Sequence, residues 1–423
     1  MMDLSQSQIL KLVVLTYAIL SIPLILVAQD RIDPPTVTSV VIKGNCKTRP
    51  GILHRELESS IGKIFDWSIL EKDTHALRKL NIIRTAEAQV KRGRNSQDRI
   101  ILFVVSESSP WHLEPVFGND SIFGLYGGFV IGYKNFRGLR EKMVVEARLG
   151  NRSRYAFQWS NPWFAGQLHL FSAMNLWREE YKYLYKDYSP EFQEYNSGIS
   201  FTLGSHLSAK LAVGSRFMYE RVDVGDKSVS LSGSGVDELS VIEAFFELNT
   251  RDWELYPRNG WYIRGSAQRF YVVDTHFDKG KLDIRRYQPF IFDNILAIRL
   301  QMMLSRRELP VYKREHLGGR GTLRGYPRGE FGGDNTVAGS FEWRVPLGFR
   351  PDPSNKINVG LAAVVFYDVG TAWWRQTRVI NQRFHSSVGF GFHFILQDLV
   401  FSGLYGYAGR GFGFLHIASH IEF

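Results

Sequence analysis

From Trp111 onward, apolar and polar residues alternate with a period of two in runs near ten residues long, separated by turn-forming stretches. Such runs are strands whose two faces meet different surroundings. The pattern predicts strands over 111–117, 122–133, 142–150, 154–159, 167–177, 195–204, 209–220, 238–248, 261–271, 277–289 and 295–305. Past a basic, glycine-rich stretch it predicts five more, over 336–345, 357–368, 386–394, 399–405 and 414–423. Upstream, over 36–107, the rhythm differs. Val37 to Lys43 alternates as a strand into Gly44-Asn45. Thr48 is expected to cap a helix running to Ser60, with Ile52, Leu53 and Leu57 at helical spacing and Gly62 at its end. Trp67, Ile69, Leu70, Leu77 and Leu80 mark a second helix, and two strands over 86–90 and 100–105 flank the turn-forming Arg92-Gly93-Arg94-Asn95. The predicted order is β-α-α-β-β.

The connections sort by parity. Those over 135–139, 161–166, 205–207, 251–260, 291–294 and 396–398 fall on one side of the sheet and are mostly short. The long, polar connections over 178–194, 222–236, 306–335 and 370–385 all fall on the other, and only 346–356 breaks the rule. Short turns inside and long loops outside are the pattern of an outer-membrane barrel. The expected fold class is therefore mainly β: a 16-stranded antiparallel transmembrane β-barrel over 111–423, preceded by one small α+β domain over 36–107.

Composition agrees once that class is considered. Hydrophobic residues make up 44% of the chain and mean hydropathy is -0.17. Barrel strands alternate lipid-facing and lumen-facing residues, so spanning segments never look apolar on average. An aromatic content of 14% and 39 glycines suit interfacial aromatic girdles and tight turns. The net charge of +10 is ascribed to lumen and loop side chains and would attract anionic lipid head groups. Lys11, the apolar run from Leu12 to Val27 and the ending at Ala28 predict a cleaved signal peptide over 1–28. The run is shorter than the roughly 20 residues that span a bilayer, and Pro23 breaks it. The single cysteine, Cys46, forms no internal disulfide.

The chemistry-bearing candidate is the loop from His316 to Gly329, which contains Gly318-Gly319-Arg320-Gly321 and Leu323-Arg324-Gly325-Tyr326. It is no phosphate-binding P-loop: that motif ends in Gly-Lys-Ser/Thr at the start of a helix, whereas Pro327 and more strand follow here. An Arg/Gly-rich nucleic-acid tail belongs to disordered intracellular segments, which the export signal opposes. No Gly-x-Ser-x-Gly elbow or His-Glu-x-x-His occurs. His416 and His420 share a strand face but stand roughly 13 Å apart, too far for one metal. Neither an enzymatic role, a cofactor nor a metal site is expected.

Two resemblances give these features a family. The small domain resembles a POTRA domain through Val41-Ile42-Lys43-Gly44-Asn45, Thr48, Gly62, the 77–80 stretch and Val104-Val105-Ser106-Glu107. The edge of its sheet either receives an extended chain or only braces the barrel entrance. The chain as a whole resembles the BamA/TamA-type outer-membrane superfamily, also called bacterial surface antigens. The matching motifs are Asn135-Phe136-Arg137-Gly138, Asn161-Pro162-Trp163-Phe164, Thr250-Arg251-Asp252, Tyr256-Pro257, Gly260-Trp261, Phe341-Glu342-Trp343-Arg344-Val345-Pro346-Leu347 and Phe366-Tyr367-Asp368-Val369-Gly370. The terminal Phe423 resembles the C-terminal signal by which such barrels are recognised for insertion.

The resemblance implies that the loop folds back into the lumen. There Leu323, Arg324, Gly325 and Tyr326 form its tip, with Glu342 and Asp368 as the carboxylates that hold Arg324, Gly325 allowing close approach and Tyr326 packing the tip. It also implies a non-enzymatic outer-membrane protein that helps insert or translocate polypeptides, its POTRA domain in the periplasm and a weak seam between the first strand, which carries Pro115, and the last. The expected partners are outer-membrane lipids, unfolded or extended polypeptide clients and accessory assembly proteins, with no nucleic acid. The alternative is a pore or surface protein for small solutes or partner contact, suggested by the single POTRA copy.

Overall fold

The structure, a computed structural model, describes residues 34–120, 124–150, 152–164, 168–183, 192–348, 358–397, 399–409 and 411–419. The expected signal peptide and Phe423 lie outside the described residues.

The small domain contains β1 (Thr36–Lys43), α1 (Pro50–His54), α2 (Trp67–Lys79), β2 (Ile83–Arg92) and β3 (Asp98–Glu107). Its sheet has the order β1-β3-β2, with β1 parallel and β2 antiparallel to β3. Leu53, Leu70, Leu77, Ile101 and Phe103 fill the space between helices and sheet. The first helix is much shorter than expected. Thr48 does not cap it: Arg49 occupies the cap position and makes no side-chain cap bond. The buried Asp73 on α2 accepts from the amides of Glu58 at 2.7 Å and Ser59 at 3.0 Å. Those amides therefore leave the helical ladder, and the chain unwinds after His54.

Thr48 has a different task. Its amide donates to Glu107 Oε1 at 2.7 Å, and the Lys47 amide donates to Oε2 at 2.9 Å. Burial opposes ionisation of Glu107, but the Thr48 hydroxyl and amide and the Lys47 and Cys46 amides outweigh it and hold the carboxyl below its ordinary value of 4.5. A depressed folded-state pKa contributes stability that is present above the unfolded value and lost as pH falls through the folded one. The 44–49 turn is therefore expected to loosen below about pH 4.5, with faster amide exchange at Lys47 and Thr48. Glu107→Gln should show that fast exchange already at pH 7, measured by hydrogen exchange with mass spectrometry.

The remaining strands follow in order: β4 (Trp111–Asp120), β5 (Gly124–Phe136), β6 (Glu141–Gly150), β7 (Arg152–Asn161), β8 (Leu170–Tyr183), β9 (Phe192–His206), β10 (Leu211–Asp223) and β11 (Val236–Asn249). Then come β12 (Gly260–Val272), β13 (Thr275–Pro289), β14 (Ile295–Ser305), β15 (Glu315–Leu317), β16 (Phe331–Gly333), β17 (Asn335–Pro346), β18 (Val359–Trp373), β19 (His385–Leu396), β20 (Leu399–Tyr407) and β21 (Phe414–Ala418). All but β15 and β16 form one closed barrel of sixteen strands, and β21 returns to pair with β4. Each predicted segment overlaps one barrel strand. The two-residue period shows plainly on β19, where Val388, Phe390, Phe392 and Phe394 point outward at 52%, 60%, 53% and 39% exposure while Ser387, His393 and Ile395 are buried. Outward rows of this kind meet lipid hydrocarbon.

One expectation changes. The loop between β14 and β17 contains the β15–β16 hairpin, whose three-residue strands are too short for periodicity to register. The last strand is described over Phe414–Ala418, and residues 420–423 of the predicted run lie outside the described residues. Ser419 turns inward, its amide donating to the Phe117 carbonyl and its hydroxyl accepting from the Phe117 amide, both at 3.2 Å. Among the described residues β21 pairs with β4 at Ala418 and Gly118 and with β20 over Phe414 to Ala418.

Candidate functional site

Inward positions on β17 and β18 follow from alternation. Phe341 and Trp343 face out, so Ser340, Glu342 and Arg344 face in; Tyr367 faces out, so Phe366 and Asp368 face in. The loop over 306–334 brings Arg324 against this row. A turn closed by the Tyr326 amide on the Leu323 carbonyl at 3.1 Å sets its direction, and Leu323 is fully buried among Leu317 and Ala338.

The Arg324 guanidinium is 4% exposed and lies over the Phe366 ring, 3.6 Å from its centroid. Its Nε donates to Asp368 Oδ2 at 3.0 Å and its Nη2 to Oδ1 at 2.6 Å, a bidentate pair, while Nη1 is bonded to Glu342. Ser340 Oγ accepts from Nη2 at 2.8 Å. The backbone joins in: the Arg324 amide donates to Asp368 at 3.0 Å, and the Gly325 amide donates to Ser387 Oγ at 3.1 Å. His416 on β21 donates through Nε2 to the Arg324 carbonyl at 2.8 Å. A side chain at Gly325 would put its Cβ 2.5 Å from Ser387 Cβ and 2.7 Å from the Tyr407 carbonyl carbon, so the backbone approaches the wall as only glycine allows. Tyr326 packs edge-on against Phe331 and His385. Glu342 also binds Arg344 Nη2 at 2.7 Å, and Arg344 lies 5.2 Å from the Tyr256 ring and 5.6 Å from the Tyr287 ring.

Three sequence-selected residues, Arg324, Glu342 and Asp368, thus meet in one network. Ser340, Phe366, Ser387 and His416 belong to it without having been selected. Two-residue steps back from Glu342 and Asp368 would have found Ser340 and Phe366; Ser387 and His416 needed the strand order. Among the described residues no group of three metal ligands occurs.

A second constellation joins the small domain to the first turn of the barrel. Asn135, Arg137 and Arg140 all have left-handed backbones, with φ of 65°, 55° and 62°. Asn135 Nδ2 donates to Thr48 Oγ1 at 2.8 Å, and its Oδ1 accepts from the Arg140 amide at 3.0 Å. The Arg49 amide donates to the Gly138 carbonyl at 3.0 Å. Arg140 pairs with Glu56 at 3.0 Å, and Arg55 stacks 4.4 Å from the Trp163 ring. Such strain persists where surrounding contacts over-determine the backbone.

A closed sixteen-stranded antiparallel barrel with outward aromatic rows defines an outer-membrane β-barrel protein. The Omp85 superfamily domain matches residues 135–397, and the chain belongs to that superfamily. The outer membrane protein assembly factor BamA of Nitratidesulfovibrio vulgaris is 22% identical over 360 residues, 79% of this chain and 43% of that protein, so the chain spans less than half the length of this relative. BamA from Haemophilus ducreyi lacking POTRA domains 1-3 has a similar structure, with a TM-score of 0.66 at 16% identity over 91% of this chain and 84% of that one. CdiB from Acinetobacter baumannii gives 0.62 at 14% identity over 91% and 74%, and CdiB from Escherichia coli 0.61 at 12% identity over 99% of both. At these identities the structural likeness concerns the fold.

Proposed function

We propose that this protein assists polypeptides into or across the bacterial outer membrane, as an assembly or secretion factor, with the loop over 306–334 folded into the barrel lumen and held there through Arg324. The observation that carries this reading is the Arg324 network. A guanidinium removed from water with two carboxylates needs compensating geometry, and a loop that merely roofed the barrel mouth would leave all three solvated. The named roles of the relatives supply the client class: one is an assembly factor for outer-membrane proteins.

In this reading 1–28 is a signal peptide, 36–107 a periplasmic POTRA module and 111–423 the barrel, with Phe423 part of its insertion signal. Among the described residues strand β2 pairs only with β3, so its outer edge is open to an extended client. The seam between β4 and β21 is where the barrel opens, and Pro115 on β4 lacks an amide to strengthen it. The protein acts without catalysis, which a hydrolase screen of the purified chain tests. Depletion of the protein followed by quantitative profiling of outer-membrane proteins is expected to lower many barrels if it is an assembly factor, or one secreted protein if it is a dedicated transporter. Unchanged levels of both would refute the proposal.

A second reading, a pore for small solutes, is favoured by a cavity of about 390 Å³ along β6–β10, lined by Lys142, Arg154, Gln158 and Arg216 among others. Steady single-channel conductance in planar bilayers, unaffected by Arg216→Gln, would not support it; conductance that this substitution alters would.

A further inference from the structure

The outward row of β13 carries a charge. Tyr287 is buried and Arg285 bonds the lumen-side Asp283 at 2.6 Å, so by alternation Ile284, Arg286 and Gln288 face lipid. The register partners of Arg286 are Trp261 on β12 and Ile298 on β14, both exposed apolar side chains. An arginine on the lipid face of a barrel costs stability, the more so the deeper it lies. Two outward arginines nearer the opposite end have carboxylates: Arg269 bonds Asp278 at 2.7 Å, and Arg221 lies 4.0 Å from Glu238. Arg286 has none among the described residues. Its guanidinium lies over the Trp261 ring, 5.1 Å from the centroid, and Nη2 donates to the neutral Gln288 side chain. Most of its N–H groups remain open.

Depth follows from the turn below. Strand β13 runs toward the barrel end that carries the small domain, because its turn over 290–294 lies on the same side as the 135–140 turn that meets Thr48 and Arg49. Past Gln288 come Phe290, Ile291 and Phe292, all exposed, with Phe292 in a left-handed conformation at φ 53°. An exposed aromatic turn held in a strained backbone belongs in the membrane interface and not in water. Phe290 lies roughly 13 Å further along the strand than Arg286. Arg286 therefore stands at the inner edge of the head-group layer, beside a tryptophan, within reach of lipid phosphates.

We infer that Arg286 binds the phosphate of one anionic glycerophospholipid in the leaflet nearer the small domain, with Trp261 flanking the head group and Gln288 fixing the guanidinium. The phosphodiester supplies the anion that the chain does not, accepting a bidentate pair of N–H bonds from one edge of the guanidinium, while the acyl chains cover Ile284 and Ile298. A net-anionic head group is favoured over a zwitterionic one because an ammonium would need a carboxylate, and the carboxylate of the turn, Asp293, is engaged by Arg258 at 3.8 Å. The site needs only the membrane-spanning barrel and does not depend on which client it handles.

The test uses the purified full chain in a zwitterionic detergent, supplemented with phosphatidylglycerol or, at equal mole fraction, phosphatidylcholine. The midpoint of the heat-induced mobility shift is expected to rise saturably with phosphatidylglycerol and to stay level with phosphatidylcholine. Arg286→Leu is expected to lose that rise while matching or exceeding the wild-type midpoint in detergent alone, since it removes a charge from the lipid face. Arg286→Lys keeps the charge without the fork and should retain part of the rise. Native mass spectrometry of the wild-type chain gives a reading that needs no variant: one phosphatidylglycerol should remain bound at collision energies that strip phosphatidylcholine. Equal midpoints or equal retention with the two lipids would show a guanidinium turned to water, and a full rise in Arg286→Leu would place the lipid elsewhere; either result overturns the inference.

Discussion

Arg324→Ala is expected to lower barrel stability by about 3–5 kcal/mol, the range found when one partner of a buried ion pair is removed. The reason is what remains: Asp368 is 0% exposed and Glu342 1%, and the guanidinium that stood between them is gone, leaving Glu342 with Arg344 and Asp368 without its bidentate partner. The heat-induced mobility shift of the folded barrel should fall to a clearly lower temperature, and the loop should become sensitive to protease near Arg320 and Arg328. The double change Arg324→Ala with Asp368→Asn should be less destabilised than Arg324→Ala alone, because it removes an orphaned charge. Glu342→Gln should be severe by itself, since that carboxylate serves both Arg324 and Arg344. Arg324→Lys should recover only part of the loss, as an ammonium cannot match the fork that engages Asp368 and Glu342 together. An Arg324→Ala barrel as stable as the wild type would show that the loop is held by something else.

Gly138→Ala is expected to release the small domain from its fixed orientation on the barrel. Gly138 has φ of +73°, and a Cβ there would lie 2.2 Å from the Lys47 carbonyl oxygen. The left-handed backbone alone costs a non-glycine residue about 1–2 kcal/mol; the clash is with backbone that the Thr48–Glu107 bonds hold still, so it adds to that figure. Pulsed electron resonance between labels at Lys72 and Ser208, with the exposed Cys46 changed to serine, should give a narrow distance distribution in the parent and a broad one in Gly138→Ala. Gly62→Ala is the control: its φ is +89° but nothing lies within 4 Å of the added Cβ, so it carries the backbone strain without the contact. A narrow distribution in Gly138→Ala would mean that the junction is not the lock.

These two sites differ in how far the amino-acid sequence exposed them. The sixteen strands were legible because each repeats its own two-residue period, and a lipid-facing row needs no knowledge of its neighbours. Glu342 and Asp368 were legible through the motifs around them, and Leu323-Arg324-Gly325-Tyr326 through its glycines and its place in the longest connection. The Asn135-Phe136-Arg137-Gly138 stretch stood out only as a motif. Its physical content, three strained backbones pinned by Thr48, Arg49 and Glu56, depends on residues some eighty positions earlier. Thr48 was misread for the same reason. A threonine before an apolar run looks like a helix cap, and nothing local says that Glu107, 59 residues on, has claimed its amide.

By itself the chain's alternation determined the class of fold, the number of strands, which face of each meets lipid and which loop is long enough to reach the wall. Those properties depend on contacts between a residue and its surroundings in general, and burial pattern encodes them locally. Only the tertiary structure decided that Ser340, Phe366, Ser387 and His416 complete the Arg324 network and that Ser419 bonds to Phe117. Each is a meeting of particular groups from separate strands, where charge balance and hydrogen-bond geometry are settled atom by atom, and no period along the chain records which strands stand side by side.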